Sequence, residues 1–576
     1  MSDYTLYPKV TVDGTMPPKV LERLDERYLN AGELDDPTDS TVNAKDLGVT
    51  AGTSTSQSAK LQAAMEQTAA AGQVLRLPPG AYRLDSSIGL PGGLRLDATG
   101  AILDFAACRD PYYLRIQGTT SPTLSYSATI LKGAYTVSLA NHGLTTGAWC
   151  MIRSQDVVDP DSTGVTCGEL IQVRAVNADQ VTFLTPVCDT YSTGVTIMPV
   201  QMVRDVQLTG GTIRGNRVAA DGRGGLRAQF CEGLRLRGVR FEGIDDVHCF
   251  MRDCVDAWAF DCVFEWAESN AMGYAFSLGD TSRDSGCCYS TFKGVRHTLS
   301  TNNTTAAGAG GIVRRILFAF NRVEYTTTAI SGSQLGGDAI DTHTAAEDIW
   351  ILYNSVRGSS GNGINLECIS GRIEGNTIRN SAYAGINVHN ESRRTGSIII
   401  SGNRVAGSGG HGINVRHGTR GTPAVYESAI ITDNAVSDTG DVGLLVGYTN
   451  YDRGTIVTGN TVRGTKNQGI QVRRQEGAIV HSNRVIGGAN GITYDNVRYS
   501  VLGPNSVDAG TPTGAWVGET LTNVSYCTLT PGAVKADVVG GVGMSITSSC
   551  SRISLGKTGH INAPTPLVND AGSTVS

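Results

Sequence analysis

The side chains best suited to proton transfer are concentrated in one part of the sequence. Three of the nine histidines, His297, His343 and His389, alternate there with the carboxylates Asp341 and Glu367. Two carboxyl groups can act as acid and as base or nucleophile in glycosidic hydrolysis, and a histidine can hold one of them in the required protonation state. A histidine could instead act as the base of a β-elimination on a uronate. The residue types leave both reactions open, and the central carboxylates favour hydrolysis.

These residues lie in a repeat that fixes their spacing. Segments such as NGINLECI, AGINVHNE and HGINVRHG each place a glycine, a branched aliphatic residue and then alternating residues. The aliphatic positions are 22 to 31 residues apart and are Ile340, Ile364, Ile386, Ile413, Leu444, Ile470 and Ile492. A coil of about 22 residues built from short strands is typical of a parallel β-helix. Leucine-rich repeats would need an LxxLxL pattern, and propellers would need hairpins with a period of about 40 residues.

A second motif supplies an asparagine nine or ten residues before the next aliphatic position, as in EGNTI, SGNRV, TDNAV, TGNTV and HSNRV. This constant gap predicts a structural column of stacked asparagines that cap the turn backbone. The extra residues of the longer repeats follow the GIxV strand, so the long loops are expected on a single face. The repeat is therefore interpreted as a coil with a constant body and one variable loop.

Because alternate residues of a strand face opposite ways, aligning the repeats predicts two outward columns. The first includes Asp341, Asn365 and Asn387, and the second includes His343, Glu367, His389, Arg416 and Arg473. Residues 295–340 count as one stretched coil, which places Arg296 and His297 beneath Asp341 and His343 at a rung spacing of about 4.8 Å. Neighbouring residues cannot both face outward on a regular strand, so one of Arg296 and His297 is buried or the strand bulges.

A catalytic or substrate-binding patch explains this concentration of histidines and carboxylates better than an ordinary polar face. The predicted catalytic residues are Asp341, Glu367, His343 and His297. The predicted substrate-binding residues are Arg296, Asn365, Asn387, His389, Arg416, Arg473 and Tyr448. A separation of about 6–8 Å between the two carboxylates would be closer to the inverting than to the retaining arrangement. No cofactor is expected, and no cluster of aspartates suggests Ca²⁺.

The remaining sequence divides the chain. We interpret residues 1–41 as an adaptor and linker, 42–144 as the start of the β-helix with a capping helix, and 145–200 as a small β insert. Residues 201–509 form the main β-helix, and 510–576 form a strand-rich tail. The net charge of −6 and the absence of a basic block argue against nucleic-acid binding. Thirteen irregularly spaced cysteines predict buried, reduced thiols and folding in a cytoplasm, and neither a secretory signal nor a membrane-spanning run is visible.

The segment from Val42 to about residue 84, which contains AKLQAAMEQTAAAGQVLRLPPGAYRL, resembles the opening of pectate-lyase-like β-helix proteins. GELIQVRAVNADQVTFLTPVCDTY, YSTFKGVRHTLST with its Arg-His pair, and GDAIDTHTAAEDIWILYNSV with its Asp-x-His are similar to bacteriophage tailspikes of that superfamily. The resemblance spans roughly residues 42–510. It implies an all-β fold, namely a right-handed single-stranded parallel β-helix. It also implies a homotrimer of the virion tail, attached to the tail or baseplate through its N-terminus, that folds in the host cytoplasm and depolymerises a bacterial surface polysaccharide.

Other functions remain open on this scaffold. A polysaccharide lyase would use a histidine base beside an arginine that neutralises a uronate carboxylate. A non-catalytic carbohydrate-binding adhesin would need a polar outward face but no cluster of histidines and carboxylates. An esterase is disfavoured because the sequence has no GxSxG nucleophile elbow.

Overall fold

The computed structural model describes most of the chain. The described residues are 40–159, 164–216, 222–267, 272–303, 310–326, 337–390, 395–417, 428–447, 452–510, 516–530, 532–535, 541–547, 549–555, 561–562 and 565–569. Most of the predicted adaptor, together with Tyr448, lies outside these residues.

The described chain winds into a solenoid whose strands stack in parallel on three faces. Strands of the first face are Thr41–Asn43, Val74–Arg76, Arg95–Asp97, Val203–Arg204, Gln207–Thr209, Cys231–Glu232, Arg235–Arg237, Trp258–Phe260, Arg283–Cys288, Arg314–Ala319, Gly371–Glu374, Ser397–Ser401, Ser428–Thr432, Ile456–Thr458, Ile479–His481, Val501–Leu502, Thr528–Leu529 and Ser554–Leu555. The second face contains Gly80–Arg83, Ala101–Asp104, Thr212–Arg214, Arg240–Glu242, Val263–Ala267, Thr291–Val295, Arg322–Thr326, Ser355–Arg357, Thr377–Arg379, Arg404–Ala406, Ala435–Ser437, Thr461–Arg463, Arg484–Ile486, Ser506–Asp508, Val534–Lys535 and Ile561–Asn562.

The third face carries most of the predicted site residues. Its strands are Ile88–Gly89, Tyr112–Gln117, Gly224–Gln229, Val247–Arg252, Tyr274–Gly279, His297–Asn302, Ile340–Leu352, Ile364–Cys368, Ile386–Asn390, Ile413–His417, Leu444–Val446, Asp452–Arg453, Gln468–Glu476, Asn490–Arg498, Val517–Thr522, Val542–Ile546 and Thr565–Asn569. The strand Ile340–Leu352 begins on this face and continues onto the first face, where Ile349 pairs with Gly371. A continuous apolar core fills the solenoid.

The glycine of each GI motif is required by packing between two faces. A Cβ atom on Gly412 would lie 2.2 Å from Cγ1 of Val436, and one on Gly443 would lie 2.3 Å from Cγ1 of Val462. Both distances are well inside van der Waals contact, so any larger residue would push the faces apart. The glycine of the GI motif therefore permits the close approach of the third face to the valines of the second face.

The asparagine motif forms a buried ladder, as predicted. Its members are Asn321, Asn354, Asn376, Asn403, Asn434, Asn460, Asn483 and Asn505. Each of the first seven donates its backbone N–H to the side-chain oxygen of the asparagine one coil further on, at 2.8–3.1 Å. At the far end, Asn505 Nδ2 donates to the Tyr494 hydroxyl at 3.0 Å. The ladder satisfies polar backbone groups at a buried turn.

Two predicted boundaries differ from the structure. The antiparallel insert starts before residue 145, since its strands are Thr119–Thr120, Leu124–Tyr126, Thr136–Ser138, Trp149–Asp159, Val165–Asn177, Gln180–Phe183 and Val195–Gln201. The tail beyond residue 509 continues the coils, because Val517–Thr522 pairs in parallel with Asn490–Arg498. A Cβ atom on Gly518 there would lie 2.5 Å from Cγ1 of Val534, as in the glycine–valine contacts of the earlier repeats. The repeat pattern did not predict these further coils, because the GI motif does not continue beyond residue 509.

Other features agree with the sequence. An α-helix, Ser58–Ala70, buries Leu61 and Met65 against the start of the core and is followed by Gly72 at a φ of 65°. The small insert has a separate apolar cluster, which Ile312 and Ile369 of the coils join. All thirteen cysteines fall within the described residues, are free, and are buried except for the half-buried Cys188. Within the described part of the chain, none of the helices has the length and apolar character needed to cross a membrane.

Candidate active site on the third face

The first predicted outward column is confirmed by strand register. Asp341 pairs with Asn365, Asn365 with Asn387, and Asn387 with Asn414 on successive coils. The intervening aliphatic residues, such as Leu366, belong to the core. Because alternate side chains face opposite ways, the column lies on the outside of the solenoid.

The amides of this column form a directed chain of hydrogen bonds that ends on Asp341. Asn414 Nδ2 donates to Asn387 Oδ1 at 2.9 Å, and Asn387 Nδ2 donates to Asn365 Oδ1 at 2.6 Å. Asn365 Nδ2 then donates to Asp341 Oδ1 at 2.9 Å. Hydrogen bonds arranged head to tail polarise one another, so the chain supports negative charge at the Asp341 end.

Two histidines approach the other oxygen of the same carboxylate. His343 Nε2 lies 2.9 Å from Asp341 Oδ2, and His297 Nδ1 lies 3.5 Å from it. Asp341 is only 1% exposed. Burial alone would raise the pKa of Asp341, but the two histidines and the bonds from His343 and Asn365 hold this pKa below its usual range. Asp341 is therefore a buried anion saturated with donors, which suits it to hold its neighbours and not to transfer a proton to a substrate.

His343 is displaced from the second predicted column by a bulge. The pairing of strand Ile340–Leu352 with strand Ile364–Cys368 changes register between Thr342 and Ala346. Thr342 Oγ1 accepts from the Glu367 backbone N–H at 2.8 Å. The inserted residues turn the His343 imidazole outward, and its side chain is 41% exposed. Partial burial alone would lower the pKa of His343, but the Asp341 carboxylate raises this pKa to about 9, with a smaller contribution from Glu367. His343 is thus an outward imidazolium at neutral pH.

The predicted register of Arg296 and His297 beneath Asp341 and His343 is wrong. Leu299 pairs with Ile340, a slip of four residues from the expected alignment, because the strand begins only at His297 after a bend. His297 nevertheless reaches the site, since its Nδ1 lies 2.7 Å from the Asp338 carbonyl oxygen and also faces Asp341. Burial lowers the pKa of His297 to about 4, and its Nε2 atom is buried without a hydrogen-bond partner.

The bend also explains how adjacent Arg296 and His297 serve one region. Arg296 stands at the corner between two faces, with its guanidinium 5.9 Å from the centre of the Tyr274 ring. The Tyr274 ring meets the His297 ring edge-on at 4.9 Å. This cation–π contact holds the guanidinium near the histidines.

Further along the second column, Glu367 pairs with His389 and His389 with Arg416. Glu367 Oε2 lies 3.4 Å from His389 Nε2, and the Glu367 side chain is 15% exposed. Arg473 pairs with Asp495 two coils beyond Arg416, at the far end of this row. The structure thus gathers His297, Asp341, His343, Asn365, Asn387, Glu367 and His389 in one cluster and leaves Arg416 and Arg473 as distal members of the face.

Sequence reasoning missed Asp338. Its Oδ1 accepts from the Asn362 backbone at 2.5 Å and from Asn362 Nδ2 at 3.0 Å. Burial, together with the nearby Asp341 charge, raises the pKa of Asp338 to about 7. Its position three residues before Asp341 was the available signal, but strand alternation alone assigns it to the opposite side. Tyr274 was missed because nothing in its sequence context separates it from a core tyrosine.

The same cluster has a donor set that could hold a metal ion. His297, Asp341 and His343 each offer one ligand atom, and these atoms lie within 4.8 Å of one another. Two imidazoles and one carboxylate form a set that suits Zn²⁺ and leaves an open coordination position. The 2.9 Å contact between His343 and Asp341 is equally that of a proton-bridged ion pair.

Comparisons with known proteins agree with the architecture. The family described as "Right handed beta helix region" matches residues 339–507 and 394–556, and the family described as "Rhamnogalacturonase A/epimerase, pectate lyase-like" matches residues 41–167. The fold is similar to the crystal structure of the tailspike protein gp49 from Pseudomonas phage LKA1, at 16% identity over 84% of this chain and 82% of that chain, with a TM-score of 0.56. It is also similar to the tailspike gp61 of Pseudomonas phage phi297, at 16% identity over 82% and 81% of the two chains, with a TM-score of 0.52. No curated protein matches the sequence. The predicted fold, a right-handed parallel β-helix, is confirmed.

Proposed function

We propose that this right-handed parallel β-helix is a phage tailspike that binds a bacterial surface polysaccharide, capsule or O-antigen, and cleaves its glycosidic bonds. The observation that carries the proposal is the outward pair formed by the His343 imidazolium and the Glu367 carboxylate. Buried Asp341, with its amide chain and His297, holds His343 from behind, and His389 lies against Glu367. An ordinary polar face would not need a buried anion saturated with donors beneath an exposed cation.

These positions support hydrolysis. His343 protonates the departing glycosidic oxygen, while Glu367 takes a proton from the water that attacks the anomeric carbon. The bond between anomeric carbon and bridging oxygen breaks, water supplies the new hydroxyl group, and exchange with solvent restores both side chains. Asp341 and His297 are positioning residues in this scheme, because they keep His343 charged and oriented. This assigns the acid to His343, whereas the sequence had favoured the carboxylates Asp341 and Glu367.

One observation favours β-elimination as a second candidate. Arg296, whose guanidinium lies 5.9 Å from the centre of the Tyr274 ring beside the histidines, could bind the carboxylate of a uronate. Neutral His343 would then remove the proton next to that carboxylate, and the bridging oxygen would leave with a proton from solvent. The two reactions need opposite protonation states of His343.

An apolar stripe on the first face supports the predicted homotrimer. Ile399, Ile430, Ile456, Ile479 and Val501 pair in register on five successive coils and face away from the core. Ile479 is 37% exposed and Val501 is 48% exposed. A continuous aliphatic stripe along a solenoid is suited to association with further copies of the chain. Attachment to the virion tail or baseplate through residues 1–39 stays a prediction, because those residues lie outside the described chain.

The test is digestion of purified capsular and O-antigen polysaccharides by the wild type and by Glu367→Gln. Reducing ends and the ultraviolet absorbance of a conjugated double bond are followed together. We expect reducing ends without absorbance, and a loss of at least about 100-fold in the variant, since general acid–base groups contribute about 10²–10⁴ in rate. New absorbance would establish elimination instead. Binding without cleavage of every polysaccharide that the protein recognises would refute the enzyme and leave an adhesin.

A further inference from the structure

A cavity of about 530 Å³ lies between the β insert and the coils. The coils contribute Glu347, Ile369 and Thr395 to its walls, and the insert contributes Lys132, Thr190 and Ser192, among others. These residues are not among the predicted site residues and take no part in the proposed proton transfers.

This cavity adjoins the candidate active site along the chain. Ile369 follows Glu367 by two residues, which corresponds to about 6–7 Å along an extended chain. On the neighbouring coil, Glu347 directly follows Ala346, whose carbonyl oxygen accepts from the Ile369 N–H at 2.7 Å. A polysaccharide bound at Glu367 would therefore reach the cavity with its next sugar residue.

The walls are held by hydrogen bonds and ion pairs within the chain. Buried Arg314 donates from Nη2 to Asp189 Oδ2 at 2.6 Å and from Nε to Glu347 Oε2 at 2.8 Å, which ties the insert to the coil. Asp156 accepts from both the backbone and the hydroxyl of Ser192, at 2.6 and 2.7 Å. Because these contacts are already made, the cavity needs little ordering before a ligand enters.

The lining suits a sugar ring and indicates its class. Half-buried Val157 offers an apolar surface for the C–H face of a ring, and Thr190 and Thr395 offer hydroxyl groups. Among the residues that line or clamp the cavity, the carboxylates are Asp156, Asp189 and Glu347. The only cations in the same set are Lys132 and the clamping Arg314. This balance disfavours an acidic sugar and favours a neutral or amino sugar.

We propose that the cavity is a binding subsite for a neutral or amino sugar of the polysaccharide cleaved at Glu367. The inference rests on the proposed function and adds the path of the substrate. The bound polysaccharide runs from the third face towards the insert, and the insert is part of the substrate-binding groove.

The experiment blocks the cavity from its two walls with Thr395→Trp and Lys132→Trp, both at exposed positions. The control is Ser138→Trp, an exposed residue in a strand at the edge of the insert sheet. Each trimeric variant is checked by circular dichroism and light scattering. Its KM and kcat are then measured on the polysaccharide that the wild type cleaves. We expect either blocking variant to raise KM at least tenfold with kcat within about threefold, and the control to match the wild type. Unchanged KM in both folded blocking variants would overturn the subsite.

The sugar class is tested with the monosaccharides released from that polysaccharide by acid hydrolysis. Saturation-transfer NMR should detect neutral or amino sugars on the wild type and lose them on Thr395→Trp. Contact from uronic acids alone would overturn the assignment. A wild type that cleaves no polysaccharide would refute the proposed function, whereas cleavage that is insensitive to the blocking variants refutes only this inference.

Discussion

Replacing Asp341 with asparagine tests the assignment of His343 as the acid. The substitution keeps the shape of the side chain and a partner for Asn365 but removes the charge that raises the pKa of His343 to about 9. Without that charge the pKa should return to about 6.5, its ordinary value, or lower. The alkaline limb of kcat/KM for hydrolysis should therefore move from about pH 9 to about pH 6.5 or below.

The size of the effect follows from the two pKa values. At pH 7.5 the protonated fraction of His343 falls from about 97% to about 9%, a loss of roughly tenfold in activity from protonation alone. At pH 5.5 most of His343 is protonated in both proteins, so most of the loss should be recovered there. Recovery at low pH distinguishes a positioning role from simple damage to the fold.

The assay is the pH profile of reducing-end release by both proteins, with the His343 pKa followed by NMR. Asn414→Ala, which removes the far end of the amide chain, serves as the matched control and should leave the limb near pH 9. A wild-type alkaline limb that Asp341→Asn does not move would refute the reasoning. A wild-type activity that rises towards pH 9 would show that neutral His343 is the base, as β-elimination requires.

Four further outcomes are expected. Gly412→Ala should lower the free energy of unfolding by about 2 kcal/mol, because its Cβ would lie 2.2 Å from Cγ1 of Val436. Val436→Ala should restore part of the loss, and equal stability of Gly412→Ala and wild type would contradict the packing. Burial raises the pKa of Glu519 from its ordinary value of 4.5 to about 7, so the fold loses stability as the pH rises above about 4.5. Glu519→Gln should therefore stabilise the fold by about 3 kcal/mol at pH 8 but little at pH 4 in denaturant titrations. Ile456→Glu should convert trimers to monomers in light scattering, and trimers of unchanged stability would exclude the stripe as the interface. Zn²⁺ should inhibit, more strongly as pH rises because it competes with the proton on His343, and chelation should reverse the inhibition; potentiation by Zn²⁺ would instead indicate a metal-dependent enzyme.

The fold could be predicted from sequence because its rules repeat. Each coil restates the GI motif and the asparagine, so the register of Asp341, Asn365 and Asn387 could be counted from the aliphatic anchors. Where the motif lapses, counting fails. The coil from residue 295 to 340 is longer than the other coils, and the slip of His297 arises from a bend that strand alternation does not predict.

The chemistry of the site was less predictable than its membership. Asp341 and His343 were both identified, but their roles depend on burial, because Asp341 is 1% exposed and the His343 side chain is 41% exposed. A sequence gives the residue types, and the protonation states follow from distances within a few ångströms. The role of Asp338 depends on its contact with Asn362, which lies on the next coil.

The asparagine ladder has a consequence for how the molecule comes apart. Each rung donates to the next, so an internal coil cannot open without breaking ladder contacts to both of its neighbours, whereas an end coil breaks only one set. Local opening should therefore begin at the two ends and advance inwards coil by coil. Because the parallel strands extend from Thr41 to Asn569, Asn321 lies near the middle of the solenoid and Asn505 lies nearer its C-terminal end. Amide hydrogen exchange along the ladder should therefore quicken from Asn321 towards Asn505, and proteolysis should begin at the end coils.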